Sequence, residues 1–264
     1  MTNIQNVLFD NERIGLDEFC SHPAAELPIP IKDGVNPVYR PQYEIPKSLQ
    51  PVIDEQIAKW IETKKIELAS PLSRWNNSLT LSPKRDLYGQ KSDWRTCFDA
   101  RSINRFLEPD TYGIPRIKEL FHRVSGFKYS SSLDLVGAFH QLPVKEEDRY
   151  LTCFTWKGVR YQFCGAPFGL THIPGHFQRL MQTILQDHHQ FVLIYLDDIF
   201  IFSSTLDEHI SHVRAVITTL TNSNMRIRRG KVSFWLPRSD SIGPCYFRKW
   251  NSCRSPKGFY FRKS

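Results

Sequence analysis

The chain has 264 residues, of which 41% are hydrophobic, 23% charged and 13% aromatic, and its net charge is +8. This composition is typical of a globular protein, and no apolar run approaches the length of a membrane span. The N-terminus has no signal-peptide pattern, so we expect an intracellular protein, cytoplasmic or nuclear, without membrane contact. The six cysteines follow no metal-ligand spacing, which argues against a zinc site.

The positive charge is unevenly distributed along the chain. Residues 230–264 contain eight Lys or Arg and one Asp, whereas residues 1–229 contain 27 basic and 26 acidic residues. The basic excess therefore belongs to the C-terminal stretch. It does not by itself indicate that the rest of the chain binds nucleic acid.

The first half of the chain predicts a leader, a helix, a hairpin and a second helix. Residues 1–49 are dotted with proline and weakly patterned, which predicts an extended surface leader, and we place its end at residue 39. Residues 51–67 predict a helix, because a proline opens it and apolar side chains follow at helical spacing. Residues 78–100 predict two strands around a polar loop, and residues 114–126 predict a helix that ends at a glycine.

The second half predicts a strand, a hairpin, a helix, a pair of strands and a final helix. In chain order these are the strand that reaches Asp134, the hairpin over 151–169 with its turn at Lys157 and Gly158, the helix over 175–188, the strands around Asp197 and Asp198, and the helix over 205–223 with Thr205 or Asp207 as its cap. Strands and helices mix without regular alternation. We therefore predict an α+β fold with an antiparallel sheet.

Asp197 and Asp198 lie side by side in FVLIYLDDIFIFSS (residues 191–204), a strongly hydrophobic run. Because an unpaired buried carboxylate is costly, two explanations are open. Either the pair lies at the tip of a hairpin, half in water, or a cation holds it. The second explanation predicts a further carboxylate at the end of another apolar strand, since hard divalent ions take several oxygen ligands.

Asp134 is such a carboxylate, because it ends a short strand and is flanked by Leu133 and Leu135. Alone, an aspartate at a strand end is most often a cap or turn residue. Close to Asp197 on a neighbouring strand it would be repelled unless a cation were bound. Mg²⁺ is commonly held by one or two carboxylates and substrate phosphates, and two such ions suit phosphoryl transfer.

Four motifs resemble the reverse transcriptase of gypsy-type LTR retrotransposons and occur in that family's order. They are WRTCFDARSIN (94–104), LDLVGAFHQ (133–141), PFGLTHIPGHFQRLM (167–181) and YLDD (195–198). The resemblance runs from about residue 39 to residue 229. It implies a right-hand polymerase, with fingers and palm over residues 40–229 and an antiparallel palm sheet packed on helices.

The resemblance also implies an RNA-directed DNA polymerase that uses an RNA or DNA template, a primer and dNTPs, with two Mg²⁺ ions, or Mn²⁺, as cofactors. By motif match, Asp134, Asp197 and Asp198 would be catalytic and metal-binding, Phe139 would exclude the ribose 2′-hydroxyl, Lys84 and Arg95 would hold the triphosphate, and Phe168, Gly169 and Gln178 would line the nucleotide pocket. Without the resemblance, Phe139 would be an ordinary core aromatic and the two basic residues would be solvated hairpin charges.

The chain departs from the family pattern at several positions. His172, Ile173, Gly175 and His176 stand where Asn, Ala, Ala and Thr are usual, and Ala100 stands where an aromatic residue is usual. His209 and His212 are spaced like a helical metal site. Exposed helix histidines are the simpler interpretation, and we expect both to be exposed.

Beyond residue 229 the resemblance ends, and residues 230–264 are an unlikely mixture for a strand or a helix. Written in common codons and read one base earlier, the family-like peptide Glu-Lys-Cys-His-Phe-Gly-Tyr becomes Gly-Lys-Val-Ser-Phe-Trp-Leu, which is residues 230–236. The same shift turns His-Val-Ile-Ser-Gly-Asn-Gly into residues 244–250. We therefore expect a frameshift near Arg229, an out-of-frame tail that is not a domain, and a missing thumb.

Two other functions stay open. One is a non-catalytic descendant that binds nucleic acid or a protein partner, although three intact aspartates argue against long decay. The other is a different two-metal enzyme, such as a nuclease. A nuclease would need neither Phe139 at its spacing nor the pair Lys84 and Arg95.

Overall fold

The computed structural model describes residues 2–85, 91–110, 112 and 126–235. The strands in these residues are β1 (Ile66–Leu68), β2 (Ser78–Arg85), β3 (Lys91–Asp99), β4 (Tyr129–Asp134), β5 (Phe154–Trp156), β6 (Val159–Phe163), β7 (Val192–Tyr195), β8 (Asp198–Ser203) and β9 (Ser233–Trp235). The α-helices are α1 (Thr2–Glu12), α2 (Gln50–Glu62), α3 (Arg101–Asn104), α4 (Ile173–Ile184) and α5 (Leu206–Asn222). The predicted α+β class is confirmed.

The described strands form three antiparallel sheets. Strands β2 and β3 make a two-stranded hairpin, β1-β6-β5 make a three-stranded sheet, and β7-β8-β4-β9 make a four-stranded sheet. The four-stranded sheet carries the aspartates. Strand β4 is hydrogen-bonded on both of its sides, so its position is fixed more firmly than that of the edge strand β7.

The predicted hairpin turn at Lys157 and Gly158 is confirmed. Both residues have positive φ, 47° at Lys157 and 81° at Gly158. Two left-handed residues give a turn whose twist matches the strands that it joins. Strands β5 and β6 pair directly across this turn, from Trp156 opposite Val159 onwards.

Helices α4 and α5 cover the four-stranded sheet. Helix α4 packs on β7, and α5 packs on β4 and β8. Helix α5 begins as predicted, because Thr205 and Glu208 form a capping box. Its buried face carries Val213, Val216, Ile217 and Leu220, all fully buried, which is the helical spacing that the sequence shows.

The prediction of an extended leader is wrong for residues 2–12, which form α1. Ile4 and Leu8 lie one turn apart on this helix and are buried, and the helix packs on α5. The helix has no proline and no strong cap, so its sequence gave little sign of it. Tertiary burial of one apolar face stabilises such a helix more than its own propensity does.

The rest of the leader is extended, but it lies within the fold instead of on the surface. Leu27 and Ile29 are buried, and the Leu27 N–H donates to the Pro143 carbonyl at 2.8 Å. The side-chain amide of Gln42 makes two hydrogen bonds, each of 2.8 Å, with the backbone of Leu79. These contacts hold the leader and the residues that follow it within the fold.

Two element boundaries differ from the predictions. The first predicted helix, over 51–67, ends at Glu62, because Lys64 adopts φ 51° and the chain then enters β1. Residues 233–235 form a strand against β4, so the expectation that 230–264 would contain no strand is wrong there. Residues 236–264 and the predicted helix over 114–126, apart from Gly126, lie outside the described residues. Among the helices that are described, none is long and apolar enough to span a membrane.

Candidate active site

Asp134 and Asp198 face each other across two neighbouring strands. Asp134 is the last residue of β4 and Asp198 the first of β8, and their Cα atoms are register partners. Directly opposite residues of an antiparallel pair project to the same side of the sheet. One step further along both strands, Leu133 and Ile199 are buried. The carboxylates therefore lie where the apolar part of the sheet ends.

Asp197 lies in the two-residue turn that joins β7 to β8. Tyr195 and Asp198 are paired across this turn, Asp197 is exposed, and Leu196 has φ 54°. The adjacent aspartates thus lie at a hairpin tip, which is the first of the two explanations that their sequence left open. Asp134 at the end of β4 supplies the further carboxylate that the second explanation requires. The hairpin tip is thus observed, and a bound cation stays a prediction.

Gln178 lies beneath this hairpin. The residue is fully buried on α4; its Nε2 donates to the Ile194 carbonyl at 3.1 Å and its Oε1 accepts from the Leu196 N–H at 2.9 Å. Both ends of the amide are thus used to hold the turn. The sequence pattern predicted Gln178 at the nucleotide pocket, whereas the contacts in the structure are with the aspartate hairpin.

Phe139, five residues after Asp134 in the chain, belongs to an aromatic cluster. Its ring lies 5.2 Å from the ring of Phe168 and 5.4 Å from that of Phe177, measured between centroids. Phe177 is fully buried on α4, whereas Phe168 is half exposed. Phe139 is itself half-buried, so its ring is backed by the core on one side and accessible on the other.

Gly169 requires glycine at its position. It has φ 110°, and a Cβ there would lie 3.2 Å from the Phe98 carbonyl oxygen. Its own carbonyl accepts a hydrogen bond from Asn104 Nδ2 at 2.8 Å. The turn that carries Phe168 is therefore held against the end of β3.

Lys84 and Arg95 lie on the β2–β3 hairpin, in a sheet separate from the aspartates. Lys84 is the register partner of Asp93, and Ser82 is the register partner of Arg95, so the two basic side chains project from the same face. Lys84 Nζ lies 2.7 Å from Asp93 Oδ2, while Arg95 is exposed. The aspartates thus belong to the four-stranded sheet and its β7–β8 turn, and the two basic residues to the β2–β3 hairpin.

Arg228 is a contact of the site that the sequence did not suggest. Its N–H donates to the Asp134 carbonyl at 2.7 Å, and its Nε lies 3.8 Å from Asp134 Oδ2. It follows α5 in a segment that lies beside the end of β4. Because Asp134 and Arg228 are 94 residues apart in the sequence, only the folded structure shows their contact.

The expectation that His209 and His212 are exposed is wrong. His209 is buried, with Nε2 2.7 Å from Ser131 Oγ and Nδ1 2.9 Å from Ser203 Oγ. His212 is half-buried and stacks on Phe191, with ring centroids 3.7 Å apart. The α5 face that carries them is turned towards the sheet. Burial, with His212 as a smaller contribution, lowers the pKa of His209 to about 4.

Two departures from the family pattern lie against other segments of the chain, one against the leader and one against Asp110. His172 Nε2 lies 2.7 Å from the Pro28 carbonyl oxygen, and burial lowers the pKa of this histidine. A side chain at Gly175 would collide with the carboxylate of Asp110, which is paired with Arg179 at 2.9 Å. These positions therefore serve contacts within this chain.

The donor set at the aspartate tip fits a hard divalent cation, because carboxylate oxygens are the ligands that such ions prefer. In the described part of the chain, no three His, Cys, Asp or Glu side chains are already gathered in metal-binding geometry. The arrangement is consistent with an ion that takes few protein ligands and completes its shell with water or substrate oxygens.

Comparison with known proteins agrees with this geometry. The family model for reverse transcriptase (RNA-dependent DNA polymerase) matches residues 82–257, which extends beyond residue 229. The chain is 30% identical over 209 residues to the retrovirus-related Pol polyprotein from transposon 297 of Drosophila melanogaster, covering 79% of this chain and 20% of the relative. It is 28% identical over 210 residues to that from transposon gypsy, covering 78% and 20%. The chain thus spans about one fifth of these relatives.

Solved structures with the same fold include foamy viral protease-reverse transcriptase in complex with an RNA/DNA hybrid. The TM-score is 0.74 at 21% identity, with 90% of this chain and 31% of that chain covered. A second structure, in complex with double-stranded DNA, gives the same TM-score and identity and covers 41% of that chain. Because the family model matches more than half of its residues, the chain belongs to the reverse transcriptase (RNA-dependent DNA polymerase) family.

Proposed function

We propose that this chain catalyses template-directed DNA synthesis, transferring a nucleotide from a dNTP to the 3′-hydroxyl of a primer on an RNA or DNA template. The observation that carries the proposal is the register of β4 and β8, which places Asp134 opposite Asp198, next to the turn that holds Asp197. Carboxylates at the ends of neighbouring strands would suit the two ions of nucleotidyl transfer, because hard divalent cations prefer oxygen ligands.

Asp134, Asp197 and Asp198 would hold two Mg²⁺ ions, or Mn²⁺ in their place. Ions bound there would lower the pKa of the primer hydroxyl and neutralise charge on the triphosphate. The chain's own contribution is positioning. The neighbouring strands β8 and β9 fix the strand of Asp134 from both sides, and Gln178 fixes the turn of Asp197.

The remaining site residues would bind the nucleotide. Arg95 and Lys84 project from one face of their hairpin, where an arginine fork and a lysine charge suit phosphate oxygens. Phe139, backed by Phe177, would leave no room for a ribose 2′-hydroxyl. The solved structures in complex with an RNA/DNA hybrid and with double-stranded DNA support nucleic acid as the partner.

A non-catalytic nucleic-acid-binding role is the second candidate. It is favoured by the contact between Arg228 and Asp134, which places a protein cation where a metal ion would be bound. The two candidates make opposite predictions for chemistry, because a binding protein extends no primer.

The test is primer extension by the purified chain on an RNA template with a DNA primer, with Mg²⁺ or Mn²⁺. Extension is expected from the wild type, and Asp197→Asn should reduce it at least about a hundredfold, because a metal ligand loses its charge. Asp187→Asn is the matched control, since Asp187 is exposed in the turn after α4 and should retain wild-type extension. Binding of the primer–template without extension would favour the second candidate. Full extension by Asp197→Asn would exclude the assigned site.

A further inference from the structure

Arg228 is held beside the aspartate tip by the backbone on which it lies. Residues 225–228 run antiparallel to residues 134–136: Leu135 bridges Ile227, and the Val136 N–H donates to the Arg226 carbonyl at 3.0 Å. The Arg228 N–H closes the same ladder on the Asp134 carbonyl. The backbone of Arg228 therefore has a fixed register with Asp134.

Two buried amides also hold this segment, Asn11 on the edge away from residues 134–136 and Gln141 on the edge that faces them. Asn11 Oδ1 accepts from the Ile227 N–H at 2.7 Å, and Asn11 Nδ2 donates to the Met225 carbonyl at 2.9 Å. Gln141 Oε1 accepts from the Arg226 N–H at 2.6 Å. Asn11 and Gln141 are both buried. Because these hydrogen bonds fix the backbone of the segment, the position of Arg228 close to Asp134 is a consequence of the fold.

The charges at the tip show why this position matters. Asp134 and Asp198 lie directly opposite each other on neighbouring strands and Asp197 precedes Asp198, so three like charges lie at this end of the sheet, and like charges repel. The Arg228 guanidinium lies 3.8 Å from Asp134 and is about half exposed. At that separation, shorter than the Debye length of about 10 Å at 0.1 M salt, a unit charge still acts on its neighbour.

We propose that Arg228 is the counter-ion of Asp134 when no metal ion is bound, and that a divalent ion entering the site must displace its guanidinium. Arg228 would then be a positioning residue that sets the metal affinity of the tip. The proposal rests on the proposed function, because it takes the aspartates as metal ligands. The sign follows from Coulomb's law: removing the arginine charge should make cation binding tighter.

The chain provides a matched control in the next residue. Arg229 NH1 lies 2.9 Å from Glu12 Oε2, so its guanidinium pairs with α1 instead of with the aspartates. Arg228→Gln and Arg229→Gln change the net charge equally and at adjacent positions. Any difference between them reports the local contact of Arg228 and not the overall charge of the protein.

The experiment measures Mn²⁺ binding to the full chain without nucleotide or nucleic acid, from the free Mn²⁺ signal in electron paramagnetic resonance, at 0.1 M KCl. Arg228→Gln should bind Mn²⁺ roughly threefold to tenfold more tightly than the wild type, as expected for loss of one unit charge about 4 Å away in a largely aqueous setting. Arg229→Gln should stay within about twofold of the wild type, and Arg228→Lys, which keeps the charge, should lie closer to the wild type than Arg228→Gln. The Arg228→Gln effect should shrink at 1 M KCl, where the Debye length falls to about 3 Å.

Equal affinities for Arg228→Gln and Arg229→Gln would overturn the proposal, as would weaker binding by Arg228→Gln. Asp197→Asn separates this failure from failure of the proposed function. If the wild type binds Mn²⁺ no better than Asp197→Asn does, the aspartates are not a metal site and the proposed function itself is wrong. If Asp197→Asn weakens binding while Arg228→Gln has no effect, only the counter-ion proposal fails.

Discussion

At the scale of single residues, Leu196 has an unfavourable backbone conformation at the centre of the site. Its φ of 54° places a branched side chain in the left-handed region. Such a conformation costs about 1–2 kcal/mol and persists only where the surroundings impose it. Here the buried amide of Gln178 accepts from the Leu196 N–H, so the stability of the aspartate turn depends on one side chain.

Replacing Gln178 with Leu should therefore lower both stability and activity. The variant leaves the Ile194 carbonyl and the Leu196 N–H without their partner. The free energy of unfolding, measured in urea, should therefore fall by about 1–3 kcal/mol. Gln162→Leu is the control, because Gln162 is half-buried and donates to the side chain of Glu67 instead. A Gln178→Leu protein as stable and active as the Gln162→Leu control would show that the turn holds itself.

Phe139 should determine sugar selectivity. Phe139→Ala should raise ribonucleotide incorporation while dNTP use stays measurable, because the ring proposed to exclude the ribose 2′-hydroxyl is removed. Phe139→Tyr keeps the ring against Phe177 and should keep the exclusion. The measurement is primer extension with a ribonucleotide and a deoxyribonucleotide in competition. Unchanged selectivity in Phe139→Ala would identify the ring as packing only.

Because His209 is buried, we expect the free energy of unfolding to fall when the pH is lowered. Its pKa of about 4 in the fold is below its ordinary value of 6.5, so the unfolded chain binds the proton first. Stability should thus be fully present above about pH 6.5 and decline by on the order of 3 kcal/mol as the pH falls to about 4. Urea unfolding across this range measures it, and His209→Asn should flatten the curve more than His189→Asn does, since His189 is exposed. Equal curves would assign the effect to other groups.

At the scale of elements, a buried amide near the end of α1 adds polar contacts to the apolar packing of this helix on α5. Asn11 makes hydrogen bonds to Thr221, Met225 and Ile227, which joins α1 to α5 and to the segment that carries Arg228. The helix is therefore connected to the site although it lies outside the motifs of the family.

Asn11→Ala should destabilise the protein by about 2–3 kcal/mol, because it leaves buried backbone groups at Met225 and Ile227 without a partner. Asn6→Ala, at an exposed position of the same helix, should change the stability by no more than about 0.5 kcal/mol. Hydrogen exchange at residues 225–228 should accelerate only in Asn11→Ala. Equal effects of the two substitutions would show that the helix is held by its apolar face alone.

At the scale of the whole molecule, residues 230–235 bear on the frame of the gene. Lys231 and Phe234 of the observed sequence align with the Lys and the Phe of the family-like peptide Glu-Lys-Cys-His-Phe-Gly-Tyr. These two residues are therefore the same in both reading frames. Strand β9 lies at these coincident positions, whereas the family match continues to residue 257; the shifted frame stays a proposal. The gene sequence tests it: moving the frame by one base near codon 229 should restore the family-like peptide after residue 240. A different product would exclude the frameshift.

The sequence predicted those parts of the molecule whose cause is local. The Lys157–Gly158 turn, the Thr205 cap and the two aspartate-bearing strands all follow from spacing or from a residue's own conformational preference. Contacts between segments that are far apart in the sequence could not be predicted from it. The burial of His209 depends on which face of α5 meets the sheet, and the contact of Arg228 with Asp134 requires the whole palm to be assembled.

The attachment of α1 also sets a waiting time during synthesis. Asn11 and its partner Ile227 are 216 residues apart in the chain. At about 5–20 residues per second, a ribosome needs roughly 10–40 s to make the residues between them. During that interval the apolar face with Ile4 and Leu8 has nothing to pack on. Helix α1 is thus synthesised well before the helix on which it packs, and a chaperone that binds short apolar segments has those seconds in which to reach it.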